Sequence, residues 1–157
     1  MIDVTKLILS IIVCQLAGFI GSLFTRLSVS SWYISLNKPS FTPSGWVFGP
    51  VWITLYVLMG ISAFIVWSKG FNNREVKVAL IVFGVQLILN AFWSAAFFGL
   101  RSPFAGLIVI AALWVFILLT ILYFFRVSGM AGVLLLPYIG WVSFAAVLNA
   151  SLFVMNR

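Results

Sequence analysis

The stretch Trp32–Tyr56, WYISLNKPSFTPSGWVFGPVWITLY, decides how the rest of this sequence is read. It holds five Trp or Tyr residues, three prolines, two glycines and one lysine, and it runs directly into an apolar segment. A connector that only joins two helices needs none of this, because such loops are ordinarily polar, mobile and tolerant of change. Here prolines stiffen the backbone, and aromatic rings supply rigid surface that avoids water. A stiff aromatic loop at the mouth of a helix bundle reads as a lid over a large, flat, apolar ligand.

Composition places that lid in a membrane. Hydrophobic residues make up 64% of the chain and charged residues 7%, against roughly a quarter charged in soluble domains. The length, 157 residues, suits one domain over 1–157. A membrane helix needs roughly 20 apolar residues to cross about 30 Å of hydrocarbon. Five such runs are legible, near 5–24, 43–67, 76–99, 103–125 and 129–155. The expected fold is an all-α integral membrane protein, a five-transmembrane-helix bundle whose long first loop caps a pocket. Leu100–Ser102 and Arg126–Ser128 are so short that the helices they join must be antiparallel neighbours.

Finer signals set the ends. Thr42-Pro43 matches an N-cap followed by proline at the first helical position, which starts the second helix at Pro43. Pro50 then falls in its early turns. Pro137 lies inside the fifth run and should kink it by removing one backbone hydrogen bond. Lys6 ahead of an apolar stretch resembles a secretory signal, but the stretch is too long for one and lacks a small-x-small cleavage site, so it is read as the first span. The single cysteine, Cys14, has no disulfide partner and is expected to be a packing residue.

The net charge of +7 raises a nucleic-acid reading that the distribution argues against. Lys6, Lys69, Arg74, Lys77 and Arg126 fall on one side of a five-span arrangement; Arg26, Lys38, Arg101 and Arg157 fall on the other. Scattered singly at helix ends, these are residues that snorkel or meet lipid headgroups, so no nucleic-acid partner is expected. The split leans toward a cytoplasmic N-terminus.

The spans contain no His, Asp, Glu, Lys or Arg at depth. That removes the haem-ligating histidine, the carboxylate pair, the metal cluster and the acidic proton relay from consideration. No metal site and no conventional catalytic site is expected. Gln15, Gln86, Asn90 and Asn149 remain. An intramembrane amide most often hydrogen-bonds a neighbouring helix, yet the surroundings of Asn90 and Asn149 suit a cavity wall as well. Phe48, Trp52 and Tyr56 share one face of the second helix. Asn90, Trp93 and Phe97 share one on the third, and Trp141, Ala145 and Asn149 one on the fifth. Trp46, Trp67 and Trp32 lie at run ends and fit an interfacial aromatic belt. Trp52, Trp93 and Trp141 sit further inside, where an indole N–H needs a partner. On the third helix Ala91, Ala95 and Gly99 form a second, small-residue stripe. Such a stripe suits an internal helix contact or a homodimer face; the homodimer is expected, because the Asn90 face already points inward.

These motifs resemble the TspO/MBR family, the tryptophan-rich sensory or translocator proteins, over almost the whole chain. The resemblance rests on Trp32, Tyr33, Leu36, Lys38, Pro39 and Pro43 followed by Phe48, Trp52 and Tyr56; on Gln86, Leu87, Leu89, Asn90, Trp93, Ser94 and Phe97–Gly99; and on Leu135, Pro137, Tyr138, Trp141, Phe144, Ala145, Leu148 and Asn149. It implies a pocket for porphyrins, sterols and isoquinoline- or benzodiazepine-type drugs, lined here by Tyr33, Pro43, Phe48, Trp52, Tyr56, Asn90, Trp93, Phe97, Trp141 and Ala145. It implies no cofactor, with protoporphyrin IX or a haem-like tetrapyrrole as ligand instead. Some bacterial members degrade protoporphyrin IX under light, and the tryptophans implicated correspond to Trp52 and Trp141.

Departures narrow this. Phe41 and Ser44 stand where the family loop has a tryptophan and a second proline, which loosens the lid. Ala150 and Ser151 replace the tyrosines of the animal cholesterol motif, which counts against sterol binding. A chance-level sterol pattern does occur at Leu119, Tyr123 and Arg126. The expectation is a membrane sensor or translocator of porphyrin-like molecules in the cell membrane of a microbe; the alternative is a light-dependent porphyrin-degrading enzyme. A proton-coupled exporter is disfavoured by the missing intramembrane carboxylate.

Overall fold

Asp3 opens the first helix. Its carboxylate accepts the Lys6 backbone N–H at 3.2 Å, satisfying one orphan donor at the helix start, and lies 3.2 Å from the Lys6 amine. In the computed structural model, which describes residues 3–157, α1 then runs Val4–Ser28. The others are α2 (Trp32–Ser35), α3 (Gly45–Trp67), α4 (Arg74–Ser94), α5 (Pro103–Val127), α6 (Gly129–Leu134) and α7 (Leu136–Met155). No strand occurs among the described residues. Five stretches are long and apolar enough to cross a membrane: α1, α3, α4 with its continuation to Gly99, α5, and α6 with α7.

Three local expectations change. Thr42 does not cap a helix: its hydroxyl and its N–H both donate to the Pro39 carbonyl, at 2.7 and 3.0 Å, closing a turn that ends before the helix begins. The second span therefore starts at Gly45, and Pro43 stays outside it. The expected kink in the fifth span is a full interruption at Leu135, with Pro137 in the first turn of α7, where its missing N–H leaves nothing unsatisfied. The third span ends in a π-helical turn, Ala95–Gly99, sealed by Leu100 N–H to Ala95 C=O at 2.9 Å. Arg101, at φ 50°, reverses the chain there, and Ser102 caps α5 by accepting the Ala105 N–H at 3.1 Å.

Around the bundle the neighbours run α1, α4, α5, then α6 and α7, then α3 back to α1. The interruption at Leu135 matters for this ring. α6 packs on α3 and α5, whereas α7 packs on α5 without extensive contact to α3. The half of the bundle near Lys6 is filled by Met59, Val66, Val76, Ile117, Phe124 and Ala131, all fully buried. In the other half α3 and α7 stand apart.

Small residues set the helix spacing. A Cβ on Gly60 would stand 2.6 Å from the Ile11 Cα, so α1 and α3 touch backbone to backbone. A Cβ on Gly21 would lie 3.8 Å from the Ala91 Cα, and one on Gly99 3.3 Å from the Phe24 ring. Two members of the Ala91, Ala95, Gly99 stripe thus approach α1 of the same chain, while Gly99 stays exposed and Ala91 and Ala95 half-buried; α1 packs against α4 as well as α3. Outward, Ile53, Ile81, Ile88, Phe92 and Val147 are each more than half exposed, a surface that only hydrocarbon accommodates.

Gly60→Ala tests this spacing. Its methyl meets backbone that has no free rotamer, so overpacking of about 1–3 kcal/mol is expected. Thermal unfolding in detergent should fall by several degrees for Gly60→Ala and stay unchanged for Gly84→Ala, where a Cβ meets nothing within 4 Å.

Candidate ligand-binding cavity

Where α3 and α7 diverge, the bundle encloses a cavity of about 750 Å³. The aromatic faces read from helical spacing converge on it. α3 contributes Phe48, Trp52 and Tyr56; α4 and its π-helical turn contribute Asn90, Trp93 and Phe97; α7 contributes Trp141, Ala145 and Asn149. Tyr33 and Pro43 line it from the 29–44 connector. The rings pack on one another as walls. Trp52 stacks on Tyr56 at 5.6 Å and Trp93 on Phe97 at 5.3 Å, while Phe48 meets Trp141 edge-on at 5.8 Å. The Trp32 ring packs edge-on to Phe97 at 5.5 Å, half-buried beside this wall.

The floor is polar and almost closed on itself. Tyr56 donates its hydroxyl to Asn90 Oδ1, Asn90 Nδ2 donates to the Tyr138 hydroxyl at 2.7 Å, and Tyr138 donates to Gln86 Oε1 at 2.9 Å. This chain ties α3, α4 and α7 together. A second link runs from Trp93 Nε1 to Asn149 Oδ1 at 3.1 Å, and from Asn149 Nδ2 to the Pro103 carbonyl at 2.8 Å. Both roles weighed for Asn90 and Asn149 are thus realised at once, since each bridges helices and lines the cavity. The Trp141 Nε1 and Gln86 Nε2 groups are buried with no hydrogen-bond partner.

One wall was missed from sequence. Gln15, Gly18, Ser22 and Thr25 of α1 line the cavity, and Gln15 Nε2 donates to the Ile53 carbonyl at 3.1 Å. Their spacing of three, four and three residues is a polar, small face on an otherwise apolar helix. Phe19 is the one aromatic residue that α1 adds to the lining. Arg26 and Lys38 also line the cavity, and no carboxylate does. The Lys38 amine donates to the Ile34 and Leu36 carbonyls at 3.1 and 3.2 Å and sits 4.9 Å above the Tyr33 ring. Burial pushes the Tyr33 phenol above its ordinary pKa, so it stays a neutral donor.

Residues 10–155 match the TspO/MBR family. The chain is 46% identical to the tryptophan-rich protein TspO of Chlorobaculum tepidum over 98% of both chains. It is also 46% identical to that of Archaeoglobus fulgidus, over 98% of this chain and 99% of the relative. This chain belongs to the TspO/MBR family. Human translocator protein is 38% identical over 86% of this chain and 80% of its own. As a family member with five membrane-length helices, the chain is a multi-pass integral membrane protein.

The sterol-type residues Tyr123 and Arg126 lie elsewhere. They face a separate hollow of about 200 Å³ with Arg74 and Glu75, at the opposite end of the bundle, where the Arg126 guanidinium sits 5.4 Å from the Tyr123 ring. Among the described residues no three His, Cys, Asp or Glu side chains gather into a metal-binding group. The cavity can stack on a flat ligand and donate hydrogen bonds to it. Its lining holds no carboxylate and no histidine.

A double-mutant cycle tests the floor. Asn90→Ala removes a partner from both Tyr56 and Tyr138, and a buried hydroxyl left unpaired costs about 1–3 kcal/mol. With Tyr56→Phe it should show a coupling of about 1 kcal/mol in unfolding free energy; additive effects would mean that the chain carries no energy.

Proposed function

We propose that this protein binds a flat, apolar, anionic macrocycle, with protoporphyrin IX or a haem-like tetrapyrrole as the ligand class, and acts as a membrane sensor or translocator for it. The observation that carries this reading is the pairing of aromatic walls with an uncompensated positive end. Trp52, Phe48 and Trp141 offer ring faces, and Arg26 and Lys38 border the same space with no carboxylate nearby. A porphyrin has both a π-face and two propionates, so each half of the ligand has a counterpart. The cavity lies in the size range of small-molecule sites, about 300–1,000 Å³. Isoquinoline- and benzodiazepine-type drugs, flat and apolar, fit the aromatic part and are expected to compete. A homodimer also belongs to this reading, with the partly exposed Ala91, Ala95 and Gly99 stripe as its face. The membrane is proposed to be the cell membrane of a microbe, with the N-terminus cytoplasmic.

The charge argument separates porphyrin recognition from general greasiness. Lys38→Met and Arg26→Met should each weaken protoporphyrin IX by about tenfold, the factor for roughly 1.4 kcal/mol, and leave its dimethyl ester nearly unaffected. Tryptophan-fluorescence titration, with displacement by an isoquinoline carboxamide, measures both. Equal losses for acid and ester, or failure of the drug to compete, contradict the single charged-ended site.

A second reading is a light-dependent, porphyrin-degrading enzyme. It is favoured by the placement of two oxidisable indoles, Trp52 and Trp141, on facing walls of one cavity. Stacking tolerates phenylalanine, with a loss of about 0.5–1.5 kcal/mol per pair. Electron donation does not, because phenylalanine is far harder to oxidise. Trp52→Phe and Trp141→Phe should bind protoporphyrin IX within about tenfold of wild type yet lose light-dependent bleaching of its absorbance band. Bleaching at the rate of empty micelles in all three proteins removes the enzyme reading and leaves binding.

A further inference from the structure

The connector over the cavity is clasped to the end of α7 by one side chain. Asn156 accepts the Asn37 N–H on Oδ1 at 2.8 Å and donates from Nδ2 to the Asn37 carbonyl at 2.9 Å. The same Nδ2 lies 2.8 Å from the Leu152 carbonyl, which holds the amide on its own helix. A side-chain amide pairing with both polar groups of one backbone residue fixes distance and direction together, as an added strand residue does.

The other hydrogen bonds of the connector are local. Lys38 satisfies the Ile34 and Leu36 carbonyls, and Thr42 the Pro39 carbonyl. They stiffen the segment without attaching it to anything. Among the described residues, the bonds to Asn156 are the hydrogen bonds that attach residues 32–43 to a spanning helix. The remaining attachments are ring contacts: Trp32 on Phe97, Tyr33 on Phe97 and Phe98, and Phe41 on Phe144 at 6.3 Å. Such contacts are weakly directional and can slide.

Asn156 also continues the cavity face of α7. Trp141, Ala145, Asn149 and Leu152 line the cavity, and Asn156 follows Leu152 by four residues, on the same side of the helix. Asn156 itself lies outside the lining, so it meets the connector and no ligand.

We propose that Asn156 is a positioning residue for this site: its two-bond clasp holds the connector closed, and release of the clasp sets how fast ligand enters and leaves. The proposal rests on the reading that the cavity binds a ligand. Because the clasp touches only protein, it stabilises the closed form with or without ligand. Its removal raises the open population in both states, so association and dissociation accelerate together and affinity holds.

The test has a ligand-free arm and a kinetic arm. In ligand-free protein in nanodiscs, Asn156→Ala should speed hydrogen exchange in peptides covering residues 32–43 and leave those of α4 unchanged. By stopped-flow tryptophan quenching with protoporphyrin IX, both rate constants should rise by about tenfold, with Kd shifted by less than about threefold. Asn156→Asp keeps the acceptor for the Asn37 N–H and loses the donor, so its rates should fall between. Unchanged exchange over 32–43 overturns the clasp. Faster exchange with an unchanged association rate and weaker affinity overturns the gating role, because Asn156 then shapes the bound pocket instead. Absence of any protoporphyrin binding to wild type overturns the ligand reading, and the exchange arm still decides the clasp by itself.

Discussion

The hydroxyl–amide chain Tyr56–Asn90–Tyr138–Gln86 is the constraint on which the cavity depends. Three helices supply its members, and all four side chains are buried. In hydrocarbon no water competes for these groups, so each must find its partner within the protein or remain unsatisfied. That requirement fixes how far apart α3, α4 and α7 stand at one depth. On one side of the chain, closely packed apolar side chains from Met59 to Phe124 fill the bundle; on the other the helices are free to part. The cavity is the space left above a floor that the polar groups hold level.

Two backbone irregularities then shape what lies above that floor. The interruption at Leu135 lets α6 lie on α3 while α7 packs on α5. The π-helical turn at Ala95–Gly99 shares the end of α4 with Phe97 and Phe98, which carry the rings of Trp32 and Tyr33. π-helical turns are frequent at functional sites, and this one receives the start of the connector. The connector's own end is held by the Asn37–Asn156 pair and by Phe41 on Phe144. Roof, wall and floor are thus joined through different chemistry: rings at one edge, an amide clasp at another, and a buried hydroxyl chain beneath.

Much of this was legible in the residues, and the failures share a cause. Long apolar runs gave the five spans, because hydropathy over some twenty residues is a strong signal. Helical spacing of aromatic, amide and small residues placed Trp52, Trp93 and Trp141 on inward faces, and they line one cavity. Thr42 and Pro43 misled because N-cap chemistry also makes turns, and the Pro39 carbonyl captured the threonine. The Ala91–Gly99 stripe permitted close approach but named no partner; which helix meets it is a tertiary fact, and α1 approaches Ala91 and Gly99. Most of the α1 wall leaves no periodic aromatic mark, since glycine and serine provide room rather than contact. The Asn37–Asn156 pair joins residues 119 positions apart and leaves no periodic trace.

We propose that an anionic, flat ligand lies between α3 and α7 with its charge toward the connector. An experimental structure of the complex with protoporphyrin IX in lipid measures this directly. The macrocycle is expected against Trp52 and Trp141, with its propionates within hydrogen-bonding reach of Arg26 and Lys38. A macrocycle bound on the lipid-facing surface, in the Arg74–Arg126 hollow, or inside the cavity with its propionates turned toward Asn90 would contradict it.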